Sequence, residues 1–190
     1  MVKSILLLLM VLLSCSLFAQ KEEVYFNPGL LRASATIAPG RMLENKAGSI
    51  YLDGFLEYMV DNKYSLRGDI YQFIDARYAT NSIRPNYMNR LFFGTSRYFG
   101  KGNWQSYIGL QTGITFTYID NQTVALKSLN FSPSYSFKIG TTFYVWKYFH
   151  FFADVSYINS NLRALRNGPV RMDEIFFSAG LGFQFNTKKK

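Results

Sequence analysis

Apolar and polar residues alternate with a period of two over stretches of eleven to fifteen residues, and this restricts the fold more than any other feature of the chain. From Ile175 to Phe185 the odd positions are Ile175, Phe177, Ala179, Leu181, Phe183 and Phe185. The even positions are Phe176, Ser178, Gly180, Gly182 and Gln184. Strand side chains point alternately to two faces, so one face here is apolar from end to end and the other is small or polar. The segment 131–145 repeats the pattern, with Phe131, Tyr135, Phe137, Ile139, Phe143 and Val145 on one face and Ser132, Ser134, Ser136, Lys138 and Gly140 on the other. So does 104–118, where Trp104, Ser106, Ile108, Leu110, Thr112, Ile114, Phe116 and Tyr118 oppose Gln105, Tyr107, Gly109, Gln111, Gly113, Thr115 and Thr117.

Carried along the chain, the alternation predicts strands at 29–38, 49–60, 64–75, 88–99, 104–118, 131–145, 149–159 and 174–185. A strand crosses a bilayer at a tilt with about 9–11 residues, and each segment is long enough. The connections alternate in length. Val60–Lys63, Gly100–Asn103 and Trp146–Tyr148 are tight turns, whereas Gly40–Gly48, Ala76–Tyr87, Ile119–Asn130 and Ser160–Asp173 are longer and more polar. An even strand number with short turns at one end and long loops at the other describes an all-β, eight-stranded antiparallel up-and-down transmembrane barrel, with both termini on the short-turn, periplasmic side. A soluble barrel of the lipocalin kind is greasy inside and has no need of an apolar outer face.

The first residues fix the expected compartment. Lys3, the apolar run Ile5–Leu13 and the small residues before Ala19–Gln20 have the order of a secretory signal peptide. The run is shorter than the roughly 20 residues of a spanning helix. Cleavage near Ala19–Gln20 divides the chain into a leader, 1–19, and a barrel domain, 20–190, with a short polar C-terminal tail. Cys15, the one cysteine, leaves with the leader, unless Leu12-Leu13-Ser14-Cys15 serves as a lipobox and Cys15 is acylated. Aromatics make up 18% of the chain and charged residues 17%, a balance unlike that of a soluble enzyme.

Assigning faces by parity puts Arg32, Asp53, Glu57, Arg67, Asp69, Arg90, Lys138 and Asp154 inside, four of each sign. Charges removed from water persist when paired and hydrogen-bonded, so the expected lumen is a plug of ion pairs, filled out by Phe55, Tyr71, Phe73, Tyr107 and Tyr144. The alternative is a narrow channel for small solutes. His150, the one histidine, faces inward by parity and is expected to act as a structural hydrogen-bond partner. No Gly-x-Ser-x-Gly elbow accompanies it, no cysteine or histidine cluster offers a metal site, and Gly100–Asn103 lacks the phosphate-loop pattern. Neither a catalytic site nor a cofactor is expected.

The formal charge of +9 resides partly in Lys188–Lys190 and partly in the long loops, at Arg77, Arg84, Arg163, Arg166 and Arg171. With a secretion leader in front, such charge does not point to nucleic acid. Arg163, Arg166 and Arg171 are candidate contacts for lipopolysaccharide phosphates, since guanidinium matches phosphate geometry.

The Phe18-Ala19-Gln20 leader end, the aromatic-rich strands and the closing Gly180-Leu181-Gly182-Phe183-Gln184-Phe185 resemble the small outer-membrane β-barrels of Bacteroidetes, Gram-negative envelope proteins in the broad grouping of OmpA/OmpX-like and PorT-like barrels. The resemblance spans the mature chain. It implies an integral outer-membrane location and insertion by the barrel-assembly machinery, which reads an aromatic-ended last strand. Asn186–Lys190 extend past that end, a departure from the pattern. The resemblance implies no activity. The expected role is structural or interactive and non-enzymatic: an envelope scaffold, or the membrane subunit of a larger assembly.

Overall fold

The computed structural model describes residues 24–44, 47–77, 87–121, 126–162 and 170–188. The expected leader, Cys15, and loop residues Arg84, Arg163 and Arg166 lie outside the described residues. Nine strands follow in order: β1 Leu30–Met42, β2 Gly48–Met59, β3 Tyr64–Arg77, β4 Tyr87–Lys101, β5 Trp104–Asn121, β6 Leu126–Trp146, β7 Phe149–Leu162, β8 Val170–Arg171 and β9 Glu174–Asn186. β8 is a two-residue pairing on the end of β7. The other eight each pair antiparallel with both neighbours, and β9 joins β7 on one side and β1 on the other, so the sheet closes.

The strands run further at the long-loop end than the apolar pattern predicts. The expected loop Ile119–Asn130 is largely ladder, because β5 and β6 stay in register through Thr117↔Asn130 to Asn121↔Leu126. Likewise β1 continues to Met42, and β2 begins at Gly48. Pairing is a backbone property, and beyond the apolar belt it proceeds without an apolar face to advertise it.

The belt is a consequence of the parity. Leu110, Ile37, Phe183 and Tyr135 are 62–64% exposed, while their chain neighbours on the opposite face are buried or half-buried. Large side chains stand outward on every long strand, a distribution opposite to that of a soluble protein. Tyr64, Phe99, Trp104, Trp146, Tyr148 and Phe185 lie outward near the short-turn end.

Inside, two apolar layers bracket the lumen. Met42, Ala47, Tyr51, Tyr71, Met88, Phe92, Ile158, Met172 and Phe176 pack together toward the long-loop end. Phe26, Leu30, Met59, Tyr98, Tyr107 and Tyr144 do so toward the short turns. Phe26 precedes the first strand. Its ring inserts into the barrel end between Tyr98 and Tyr144, with centroids 5.3 and 5.6 Å away. The Tyr25 amide donates to Asn103 Oδ1 at 2.9 Å and anchors this segment.

The β1–β9 closure has a seam. The ladder is formed from Leu30↔Asn186 to Ala33↔Phe183 and again from Gly40↔Phe176 to Met42↔Glu174. In the gap between, hydroxyls substitute for amides: Ser34 Oγ donates to the Leu181 carbonyl at 3.3 Å and Thr36 Oγ1 to that of Ala179 at 2.8 Å. Past Phe185, Thr187 donates from both its amide and its hydroxyl to the Gly29 carbonyl, at 2.9 and 2.8 Å. The start of the polar extension thus continues the closure.

Candidate functional site: the ion-pair network of the lumen

Every one of the eight charges assigned inward by parity is buried in the lumen, at 0–5% exposure. β2 and β3 supply the centre. Their inward positions bring Glu57 and Arg67 to directly opposed register, and β1 sets Arg32 against Glu57 from the other side. The Glu57 carboxylate is paired with the Arg32 guanidinium and lies 3.8 Å from Arg67 Nη1. It also accepts from Ser65 Oγ at 2.5 Å and from the Tyr98 hydroxyl at 2.8 Å. The Arg32 Nη groups also donate to Tyr98, Thr142 and Tyr144, at 2.5, 2.9 and 3.1 Å, while Nε has no hydrogen-bond partner. A charge held this way keeps most of its hydrogen bonds on leaving water, which a buried ion pair requires.

Arg67 is the hub. Nε and Nη2 form a fork on Asp69, at 2.9–3.1 Å. Nη2 reaches Asp154 at 3.3 Å and Nη1 meets the Tyr107 hydroxyl at 3.0 Å. The guanidinium plane lies over Phe55, 4.0 Å from its centroid, an arrangement available to arginine and not to lysine. Tyr107 passes the connection on, donating to Asp154 at 2.7 Å. Lys138 closes the ring, with Nζ 2.6 Å from Asp69, 3.1 Å from the Tyr71 hydroxyl and 3.8 Å from Asp154. Gln111 donates to the other Asp69 oxygen at 2.5 Å.

Two glycines make room for this packing. A Cβ on Gly140 would stand 2.6 Å from the Tyr107 hydroxyl, and one on Gly182 would collide with the His150 ring.

Two of the eight charges depart from the expected pattern. Arg90 pairs with none of the other seven; its partner is Glu174, at 2.8 Å, which parity reasoning omitted. Glu174 also accepts from Tyr51 at 3.1 Å and from Ser49. The signal for it was present, since Glu174 shares the even face of Phe176 and Ser178. Asp53 has no cation within 4.0 Å among the described residues and accepts from Ser178 Oγ at 2.6 Å. Its second oxygen is buried with no hydrogen-bond partner. Among the described residues the lumen therefore sets four cations against five carboxylates, rather than four against four.

His150 differs as well. It is inward and buried, but its ring nitrogens make no hydrogen bond, and the ring packs against Phe55, Tyr144 and Phe152, with centroids 6.0–6.2 Å apart. It is a packing residue rather than the hydrogen-bond partner expected. Among the described residues no serine or carboxylate hydrogen-bonds to it in a nucleophile–base arrangement.

Of the candidate rim arginines, Arg171 falls within the described residues. It is exposed, with Nη2 2.7 Å from Asp173 and Nε 3.8 Å from Glu44. Asp173 is itself a knot, accepting from Tyr157, Asn159 and the Ser160 amide at 3.1, 2.8 and 3.3 Å. That knot fixes the approach to β9 so that Met172 turns down into the outer apolar layer.

No protein-family model matches the chain. No curated protein matches it either. Solved structures do. The outer membrane protein OprG of Pseudomonas aeruginosa superposes with a TM-score of 0.62 at 15% identity, over 87% of this chain and all of that one. The N-terminal β-barrel domain of OprF from the same organism gives 0.58 at 14%, over 84% and 99%. Ail, the attachment invasion locus protein of Yersinia pestis, in complex with the heparin analogue sucrose octasulfate, gives 0.54 at 16%, over 83% and 99%. At such identities the likeness is one of architecture: the chain has the fold of the small antiparallel barrels, of which OprG is an outer-membrane example.

Proposed function

We propose that this protein is an integral outer-membrane barrel with a structural or interaction role, and that its lumen does not conduct. The observation that carries this reading is the burial of the network. Glu57, Arg67 and Lys138 are 0% exposed, and an apolar layer closes the lumen on either side of them. A water-filled path through an eight-stranded barrel has no width to spare once side chains of this size occupy it. The outward apolar belt supplies the membrane part of the reading, since a closed barrel satisfies its own backbone and tolerates lipid on all sides. In planar bilayers the purified barrel will give no steady conductance. A steady current altered by Lys138→Met would overturn the reading in favour of a narrow conduit.

Finer features belong to the same proposal. Residues 1–19 act as a secretion leader, the chain falls with the OmpA/OmpX-like and PorT-like barrels of Bacteroidetes, and β9 is the strand handled by the barrel-assembly machinery. The protein works without enzymatic activity. Arg163, Arg166 and Arg171 contact lipopolysaccharide phosphates at the outer rim. Support for that last point comes from the similar barrel Ail, solved with a polyanionic sulfated sugar. Because Arg171 already has Asp173 as a partner, most of the contact falls to Arg163 and Arg166. The triple alanine variant at these positions will purify with less lipopolysaccharide than wild type, and an equal amount would remove this part of the proposal.

A further inference from the structure

The outward face of β4 carries Arg97 in an apolar setting, with Lys101 beyond it at the end of the strand. Leu91, Phe93, Thr95, Arg97 and Phe99 point outward in succession. Arg97 is exposed and lies across from Tyr64 of β3 and Ile108 of β5. Tyr64 is the first residue of β3, so Arg97 stands at the height of the β2–β3 turn. The exposed Lys63 is held beside it, its carbonyl accepting from the Tyr98 amide at 2.6 Å. No carboxylate pairs with Arg97 or Lys63 among the described residues. Asp61, the acid nearest in sequence to Lys63, directs its Oδ1 at the turn's own amides, Lys63 at 2.6 Å and Tyr64 at 2.7 Å, and meets the Lys63 charge through space without forming an ion pair.

A groove opens beside this cation pair, reaching from Phe26 and Gln105 at the barrel end to an outer wall of Tyr64, Thr95, Phe99, Ile108 and Leu110. It does not stop there. Thr95 and Leu110 also line a second groove, which continues up the outside of the barrel between Phe93, Tyr135 and Phe137. The two form one furrow because Thr95 and Thr112 are short side chains among tall ones. Its lower end is cationic and its length is apolar, the polarity of one phosphate attached to one acyl chain. An arginine on the lipid face of a barrel is costly at the midplane and close to costless at the interface, so this height is one where guanidinium is tolerated and phosphate is at hand.

We propose that Arg97, with Lys63, binds the phosphate of one glycerophospholipid of the periplasmic leaflet, whose acyl chain lies in the furrow past Thr95 and Leu110. The site rests on the membrane reading above. It is distinct from the lipopolysaccharide contacts, which belong to the opposite rim.

Native mass spectrometry of the detergent-folded barrel, titrated with phosphatidylglycerol, tests it. Wild type will retain one lipid per barrel. Arg97→Gln will lower the affinity at least about tenfold, and Thr95→Phe, which blocks the furrow and leaves Arg97 intact, will also lower it. Diacylglycerol, which lacks the phosphate, will show no preference for wild type over Arg97→Gln. Equal phosphatidylglycerol retention by wild type and Arg97→Gln would overturn the site, and displacement of the lipid by inorganic phosphate would reassign it to the free anion. Heat-modifiable gel mobility is read on each sample. Wild type without it would sink the membrane reading itself, whereas a heat-modifiable wild type that retains no lipid overturns the site alone.

Discussion

Glu57 and Asp53 are buried carboxylates four residues apart on one strand, and their surroundings make opposite demands. Glu57 neutralises Arg32 and Arg67 together and accepts from Ser65 and Tyr98. Removing it strands two buried guanidinium groups, a change that typically costs about 3–5 kcal/mol. Glu57→Ala will therefore lower the urea midpoint of the vesicle-inserted barrel by a corresponding amount, measured by the folded fraction on unboiled gels. Asp53 accepts from one serine and has no cation partner, so Asp53→Asn will cost less than about 1 kcal/mol in the same assay, in the range of a neutral hydrogen bond. Equal losses at the two positions would contradict this account. At this scale parity placed eight charges inward and passed over a ninth, Glu174, although the face of a strand residue depends only on its position in that strand. The pairing was not legible. Arg67 reaches Asp69 on its own strand and Asp154 on β7, contacts set by how strands stagger around the barrel. Arg90 found Glu174 for the same reason.

Among the elements, the short turns and the segment before β1 carry separable loads. In the β2–β3 turn, the amides of Lys63 and Tyr64 donate to the Asp61 carboxylate and hold its pKa below the usual carboxylate range. A depressed folded-state pKa contributes stability above the unfolded value of about 4 and loses it as the pH falls through the folded value. Thermal midpoints of wild type and Asp61→Asn will thus differ at neutral pH and converge in strong acid; a difference that grows on acidification would refute the assignment. Ahead of β1, Phe26 fills the barrel end against Tyr98 and Tyr144. Phe26→Ala will cost about 3 kcal/mol and will speed hydrogen exchange at the short-turn ends of β1 and β2, while leaving the long-loop ends unchanged. Sequence reasoning placed the turns well, since short polar punctuation between alternating runs is a local signal. It missed the plug, because Phe26 follows no strand period and its partners lie about 70 to 120 positions away.

For the molecule as a whole, strand number and closure were legible because short and long connections alternate without remainder. The strand ends were not, because pairing outlasts the apolar pattern in β5 and β6. The cylinder's ladder is interrupted at the β1–β9 seam, where hydroxyls of Ser34 and Thr36 stand in for it. Ser34→Ala/Thr36→Val will make the middle of β1 and β9 exchange amide hydrogens faster than any other pair of barrel strands; uniform protection would count against a seam. At its lower end the same junction is tight, with Thr187 and Gly29 joined by two hydrogen bonds. The position at which the polypeptide is cut is therefore independent of the shape it closes into. A circular permutant, linked across Thr187 and Gly29 through a few added residues and reopened between β3 and β4, will build the same cylinder from a rearranged gene.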